Sequence, residues 1–176
     1  MTERGADTEA RIRALLALYR ESHYDVALSP HRTATIRIGE PAPAPLVGWI
    51  GDAGIAYYLT ACNPRSTSLT AEENETRLAR LRAELDARGV AYLEGVGHIP
   101  GESWREQCLF VRGIGEDDVA DLVQRYEQNG IVVARTHGVS TLRVYRSDWR
   151  EIVGEVADVE WIQPSGLRRD DGGWKA

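Results

Sequence analysis

Apolar residues recur along the chain in two rhythms, and the switches between them lay out the elements. Over residues 8–22, Ile12, Leu15, Leu16 and Tyr19 fall three and four apart, the spacing of one helical face, with Asp7 or Thr8 placed to cap its start. Residues 24–28 and 33–38 then read as a strand pair turning around Ser29-Pro30. Prolines at positions 41, 43 and 45 remove backbone donors, so residues 40–45 form a connector. Residues 46–50 and 55–62 read as two strands joined by a turn at residues 51–54.

The next helix is the best signalled. Thr70 and Glu73 have capping-box spacing, Leu78, Leu81 and Leu85 make a buried stripe, and Gly89 closes the element. Residues 90–96 and 107–112 are predicted strands around a loop at 97–104. A helix over 117–128 buries Val119, Leu122, Val123 and Tyr126 and ends at Asn129-Gly130. Strands at 131–134 and 140–145 follow, with a turn over 136–139. From residue 56 to 134 the order is strand, helix, strand, strand, helix, strand. That order predicts an α+β fold of ferredoxin-like (split βαβ) type, an antiparallel sheet with both helices on one face, extended by the N-terminal helix and strand pair. Residues 1–150 read as one domain and 151–176 as a partly ordered C-terminal extension, anchored at Trp161 and loose over 168–173.

Composition narrows the class. The chain has 176 residues, 43% hydrophobic and 27% charged, enough for one domain with its own core. No secretory signal pattern opens it and no apolar run reaches the ~20 residues that span a bilayer, so a cytoplasmic protein with no membrane partner is expected. A net charge of −6 without a basic stripe argues against nucleic acid as a partner. Cys62 and Cys108 are too few for a disulfide framework. They are expected on neighbouring strands, as separate buried thiols rather than a redox pair. His23, His31, His98 and His137 show no metal-ligand spacing, and neither a metal nor a cofactor is expected.

Polar chemistry concentrates between Thr60 and Asn74. Asn63-Pro64 stops a strand, and Arg65 and Ser66 lead toward the capped helix. Asn74 lies four residues before Leu78 and so on the same inward face, where its amide needs partners near Asn63. Asn63, Arg65 and Asn74 could brace this turn or could line a pocket at a helix N-terminus that favours an anion. His98 in a Gly/Pro loop and Glu106 beside Trp104 are the further ligand-binding candidates. Trp104 and Glu106 would close a cleft or cap the sheet edge. No serine stands in a nucleophile-elbow context, and no catalytic residue is identified.

Several of these runs together resemble a bacterial family of domains of unknown function, the one numbered 3293. The matching pieces are Leu18-Tyr19 with Tyr24-Asp-Val, the run Tyr58-Leu-Thr-Ala-Cys-Asn-Pro-Arg-Ser, Glu73-Asn74, Glu106 with Cys108-Leu-Phe-Val-Arg-Gly-Ile, and Arg125-Tyr-Glu-Gln-Asn-Gly-Ile. The resemblance spans roughly residues 15–133. It implies that Asn63, Pro64 and Asn74 are a signature of the domain, and it brings no activity with it.

Two expectations follow. The preferred one is a small module that binds a ligand or a partner, with an anion-favouring corner at Asn63, Arg65 and Asn74; a small anionic ligand and a symmetric homodimer are the partners it would take. The other is an enzyme acting on a small anionic metabolite at the same corner, with Arg65 as clamp and His98 or Glu106 as acid or base.

Overall fold

The computed structural model describes residues 3–162. The chain opens with helix α1 (Glu3–Glu21), strands β1 (His23–Ser29) and β2 (Arg32–Ile36), and helix α2 (Ala44–Ile50). Strand β3 (Ile55–Leu59), helix α3 (Ala71–Ala87), strands β4 (Ala91–His98) and β5 (Arg105–Arg112), helix α4 (Glu116–Arg125) and strand β6 (Gly130–Arg135) make the centre. Strand β7 (Thr141–Val144), helix α5 (Ser147–Val153) and strand β8 (Val159–Trp161) complete it.

All eight strands join one sheet in the order β2-β1-β4-β5-β3-β6-β7-β8. Every neighbouring pair is antiparallel except β7 with β8. The mixed α+β class is as expected, in a sheet far wider than a four-stranded unit. Five strands separate β2 from β7, yet the chain after β2 bridges to the chain before β7, through Ile38 with Ser140 and Pro41 with Val139. Such a closure requires the sheet to curl.

Strand alternation sends side chains to two faces. On one, Tyr57, Leu59, Leu109, Val111, Ile131 and Val133 pack under α3 and α4. Leu78, Leu81 and Leu85 of α3 are buried there, each contributing roughly 1.5–3 kcal/mol. The expected capping box starts that helix: Thr70 Oγ1 accepts from the Glu73 N–H, and the Glu73 carboxylate accepts from the Thr70 N–H at 2.8 Å. On the other face Ala56, Tyr58, Cys108, Phe110 and Val132 pack against the inner residues of β1 and β2 and against Leu46 and Ile50 of α2. Leu142 of β7 pairs opposite Val132, so α1 and α5, which pack on Leu142 and Val144 through Ile12, Leu16, Trp149 and Val153, lie on the α2 side.

Residues 46–50, expected as a strand, belong instead to helix α2. Pro45 stands in its first turn, where a missing N–H costs nothing, and Leu46 and Ile50, four apart, are the buried pair. A five-residue apolar run fits both periods, and the proline start decides for the helix. The strand expected over 55–62 ends at Leu59. Cys62 joins the core beneath α3 and α4 while Cys108 joins the opposite one, so the free thiols are separated by the sheet.

Beyond residue 150, the chain completes α5 and adds β8, whose Trp161 packs at the edge of the α1–α5 core. The segment over 168–173, expected to be loose, lies outside the described residues. At the crossing of β1, β4 and β3, the Tyr58 hydroxyl donates to the Asp25 carbonyl at 2.7 Å, directly over Gly95. A Cβ on Gly95 would lie 2.5 Å from that hydroxyl.

Candidate functional site

The run from Ala61 to Ser66 leaves β3 with three non-glycine residues in the left-handed region, Asn63 (φ 46°), Arg65 (φ 55°) and Ser66 (φ 59°). Asparagine tolerates that conformation, but arginine and serine hold it only where neighbours over-determine the backbone. The neighbours do so. Asn74 Oδ1 accepts from the Asn63 N–H at 2.9 Å, and its Nδ2 donates to Asn63 Oδ1 at 3.0 Å. Asn63 Oδ1 also accepts from the Leu69 N–H, and the Arg65 N–H donates to the Glu127 carbonyl. Arg77 donates to the Ala61 and Tyr126 carbonyls, Gln128 to the Cys62 carbonyl, and Asn129 to Ser66 Oγ. Side chains from α3 and from the end of α4 therefore clamp this loop in one shape.

The clamped loop presents Asn63 to Glu106, near the start of β5. Asn63 Nδ2 donates to Glu106 Oε1 at 2.7 Å, and Oε2 has no hydrogen-bond partner among the described residues. Burial pushes the Glu106 carboxyl up to about 7, against the opposing effect of the Asn63 bond. Tyr19 of α1 is close enough that burial first, and then the charge of Glu106, raise its hydroxyl well above the ordinary tyrosine value, while a bond to the Ser66 side chain lowers it. A half-protonated carboxyl near neutrality can give or take a proton, or accept a charge-assisted hydrogen bond.

These groups surround a cavity of about 260 Å³. Leu15, Leu18, Tyr19 and Ser22 form the wall from α1; Asn63, Ser66, Ser68 and Gln128 form the wall from the clamped loop and the end of α4; Ile99, Trp104 and Glu106 complete it. Leu18 and Trp104 are each 44% exposed and form an apolar mouth. Among the described lining residues Glu106 is the one with a formal charge, and none is basic. Two of the three serines here are engaged in local bonds, Ser22 Oγ donating to the Leu18 carbonyl and Ser66 Oγ accepting from Asn129.

Of the residues expected to form a site, Asn63 and Glu106 are together. Asn74 stands behind Asn63 and lines a second cavity of about 240 Å³, which also touches Asn63, Glu106 and Arg105. Arg65 is exposed and absent from both cavity walls. His98 is on the other face of the sheet: Gly97 pairs with Glu106, so His98, one residue on, points the opposite way. There its Nε2 lies 3.1 Å from Asp25 Oδ2, and its ring meets His23 edge-on. The sequence reading missed Tyr19, Ser22, Ile99 and Gln128 as site residues. Tyr19 had a signal, since it is the single hydroxyl on an otherwise aliphatic helical stripe and a buried tyrosine needs a polar partner. Among the described residues no group of three or more His, Cys, Asp or Glu side chains could hold a metal ion, and no helix is long and apolar enough to cross a membrane.

No curated protein and no solved structure matches the chain. Residues 59–131, which contain the clamped loop, α3, Glu106 and Gln128, match the model of a protein family of unknown function, DUF3293.

Proposed function

We propose that the protein is a small-ligand-binding module whose site is the cavity between α1, the clamped loop and Glu106. The observation that carries this reading is the half-buried Glu106 carboxyl, held from one side by Asn63 with its other oxygen uncommitted, at a cavity with an apolar mouth. Small-molecule sites combine an apolar enclosure with a few fixed polar groups in this way. The convergence of runs remote in sequence supports it: Asn63, Ser66, Glu106 and Gln128 come from separate runs of the segment that matches the family model, and all line this one cavity. On the same reading the central strand–helix–strand–strand–helix–strand segment is a ferredoxin-like unit, supported by its β4-β5-β3-β6 pairing, and it works in a cytoplasmic setting.

The anion-favouring corner is the less supported form of this proposal. Asn63 and Asn74 largely satisfy each other, Arg65 faces solvent, and the acid in the cavity would repel an anion. An enzymatic reading has one specific observation in its favour, the carboxyl poised near 7 beside Tyr19, which suits general acid–base work.

A fragment screen followed by amide chemical-shift mapping tests the binding reading. Binders are expected to shift Ser66, Ile99, Glu106 and Gln128 together, and Leu15→Trp, which fills the α1 wall, is expected to abolish those shifts in a protein that still melts cooperatively. Fragments that map elsewhere, or that bind the filled variant equally well, would overturn it.

A further inference from the structure

We propose that the ligand of this cavity is a small organic monocation, an amine with an apolar body, whose ammonium group bonds to the uncommitted Oε2 of Glu106. This rests on the binding reading above and adds its chemistry.

Charge decides the class. Among the described residues that line the cavity, Glu106 alone is charged, and none is an arginine, lysine or histidine that could receive a carboxylate or phosphate. A carboxylate removed from water is costly unless it is paired, and here its protein partner is a single neutral amide on one oxygen. A bound ammonium supplies the missing opposite charge and also donates the hydrogen bond that Oε2 lacks. The net charge of −6 adds a long-range attraction of the same sign.

The remaining walls fit the rest of such a molecule. Leu15, Leu18 and Ile99 are aliphatic, and Tyr19 and Trp104 bring aromatic rings, against which an apolar body packs and near which a cation is favoured. The Ser66 and Ser22 hydroxyls lie within the same enclosure and can accept from further ammonium hydrogens.

The test uses three probes of matched shape, 2-phenylethylamine, 2-phenylethanol and phenylacetate, titrated into the full chain near neutral pH. Affinity is read from the amide shifts of Ser66, Glu106 and Gln128 and from the Trp104 indole signal. The amine is expected to bind about tenfold or more tightly than the alcohol, with phenylacetate weakest, and Glu106→Gln is expected to remove the amine's advantage. Phenylacetate or phenylethanol binding as tightly as the amine would overturn the cationic class while leaving the cavity as a binding site. A failure of all three probes to shift these residues would overturn both. The ranking on the wild-type chain needs no variant, so the test survives a Glu106→Gln protein that does not fold.

Discussion

Glu106→Gln removes one titrating group while keeping an oxygen opposite the Asn63 amide, so the pH dependence of stability isolates the effect of that group. In the folded protein burial holds the carboxyl at about 7, against 4.5 for an ordinary glutamate. The folded state therefore keeps a proton that the unfolded chain gives up, and stability falls with rising pH across that interval. Glu106 contributes in full below about 4.5, and its contribution is lost as pH passes through 7. A gap of about 2.5 pH units corresponds to roughly 3 kcal/mol. The assay is urea unfolding of both proteins at steps from about pH 4.5 to 8. The free-energy difference between them should move by roughly 3 kcal/mol in favour of the glutamine variant as pH rises, or about 1–2 M in midpoint for a chain of this size. Taking the difference cancels groups common to both proteins. Curves that stay parallel across the whole range would refute a buried Glu106 that retains its proton.

Asn74→Ala should lower stability by about 1–3 kcal/mol, read as a lower urea midpoint at unchanged slope, because it strips the partner from the Asn63 N–H. Gly95→Ala should cost about 2–4 kcal/mol, since the new methyl meets both the Tyr58 hydroxyl and the Asp25 carbonyl; a wild-type melting temperature would contradict that crossing geometry. Arg65→Ala and His98→Ala should leave 2-phenylethylamine affinity within about twofold, because neither side chain lines the cavity; a large loss on titration from either would restore the corner expected from the sequence.

How much was legible in the sequence depended on whether the information was local. The capping box at Thr70 and Glu73, the leucine stripe of α3 and the inward Asn74 were readable because each is set within one or two helical turns. Residues 46–50 were misassigned because Leu46 and Ile50 sit on one face of either a helix or a strand. His98 and Glu106 could not be separated in advance. Whether they share a face depends on the β4–β5 register, and a slip of one residue would bring both onto the same face. Asn63 and Glu106 were each visible as polar residues near strand ends, but their 2.7 Å bond joins residues 43 apart in sequence. The Tyr19 wall depends on where α1 docks, and that docking is settled by α5 and β7 at the far end of the chain.

The α1 wall has a consequence for how such a module can diversify. Leu15, Leu18, Tyr19 and Ser22 lie outside the segment that matches the family model, whereas Asn63, Ser66, Glu106 and Gln128 lie within it. One side of the chamber is thus a fixed fitting, clamped by α3 and the end of α4. The other is an interchangeable panel carried by a helix seated on its own small core with α5. Substitutions at Leu15 and Leu18, whose side chains bond to neither the clamped loop nor the acid, can reshape the chamber for a different guest while Tyr19, the loop and Glu106 keep their places.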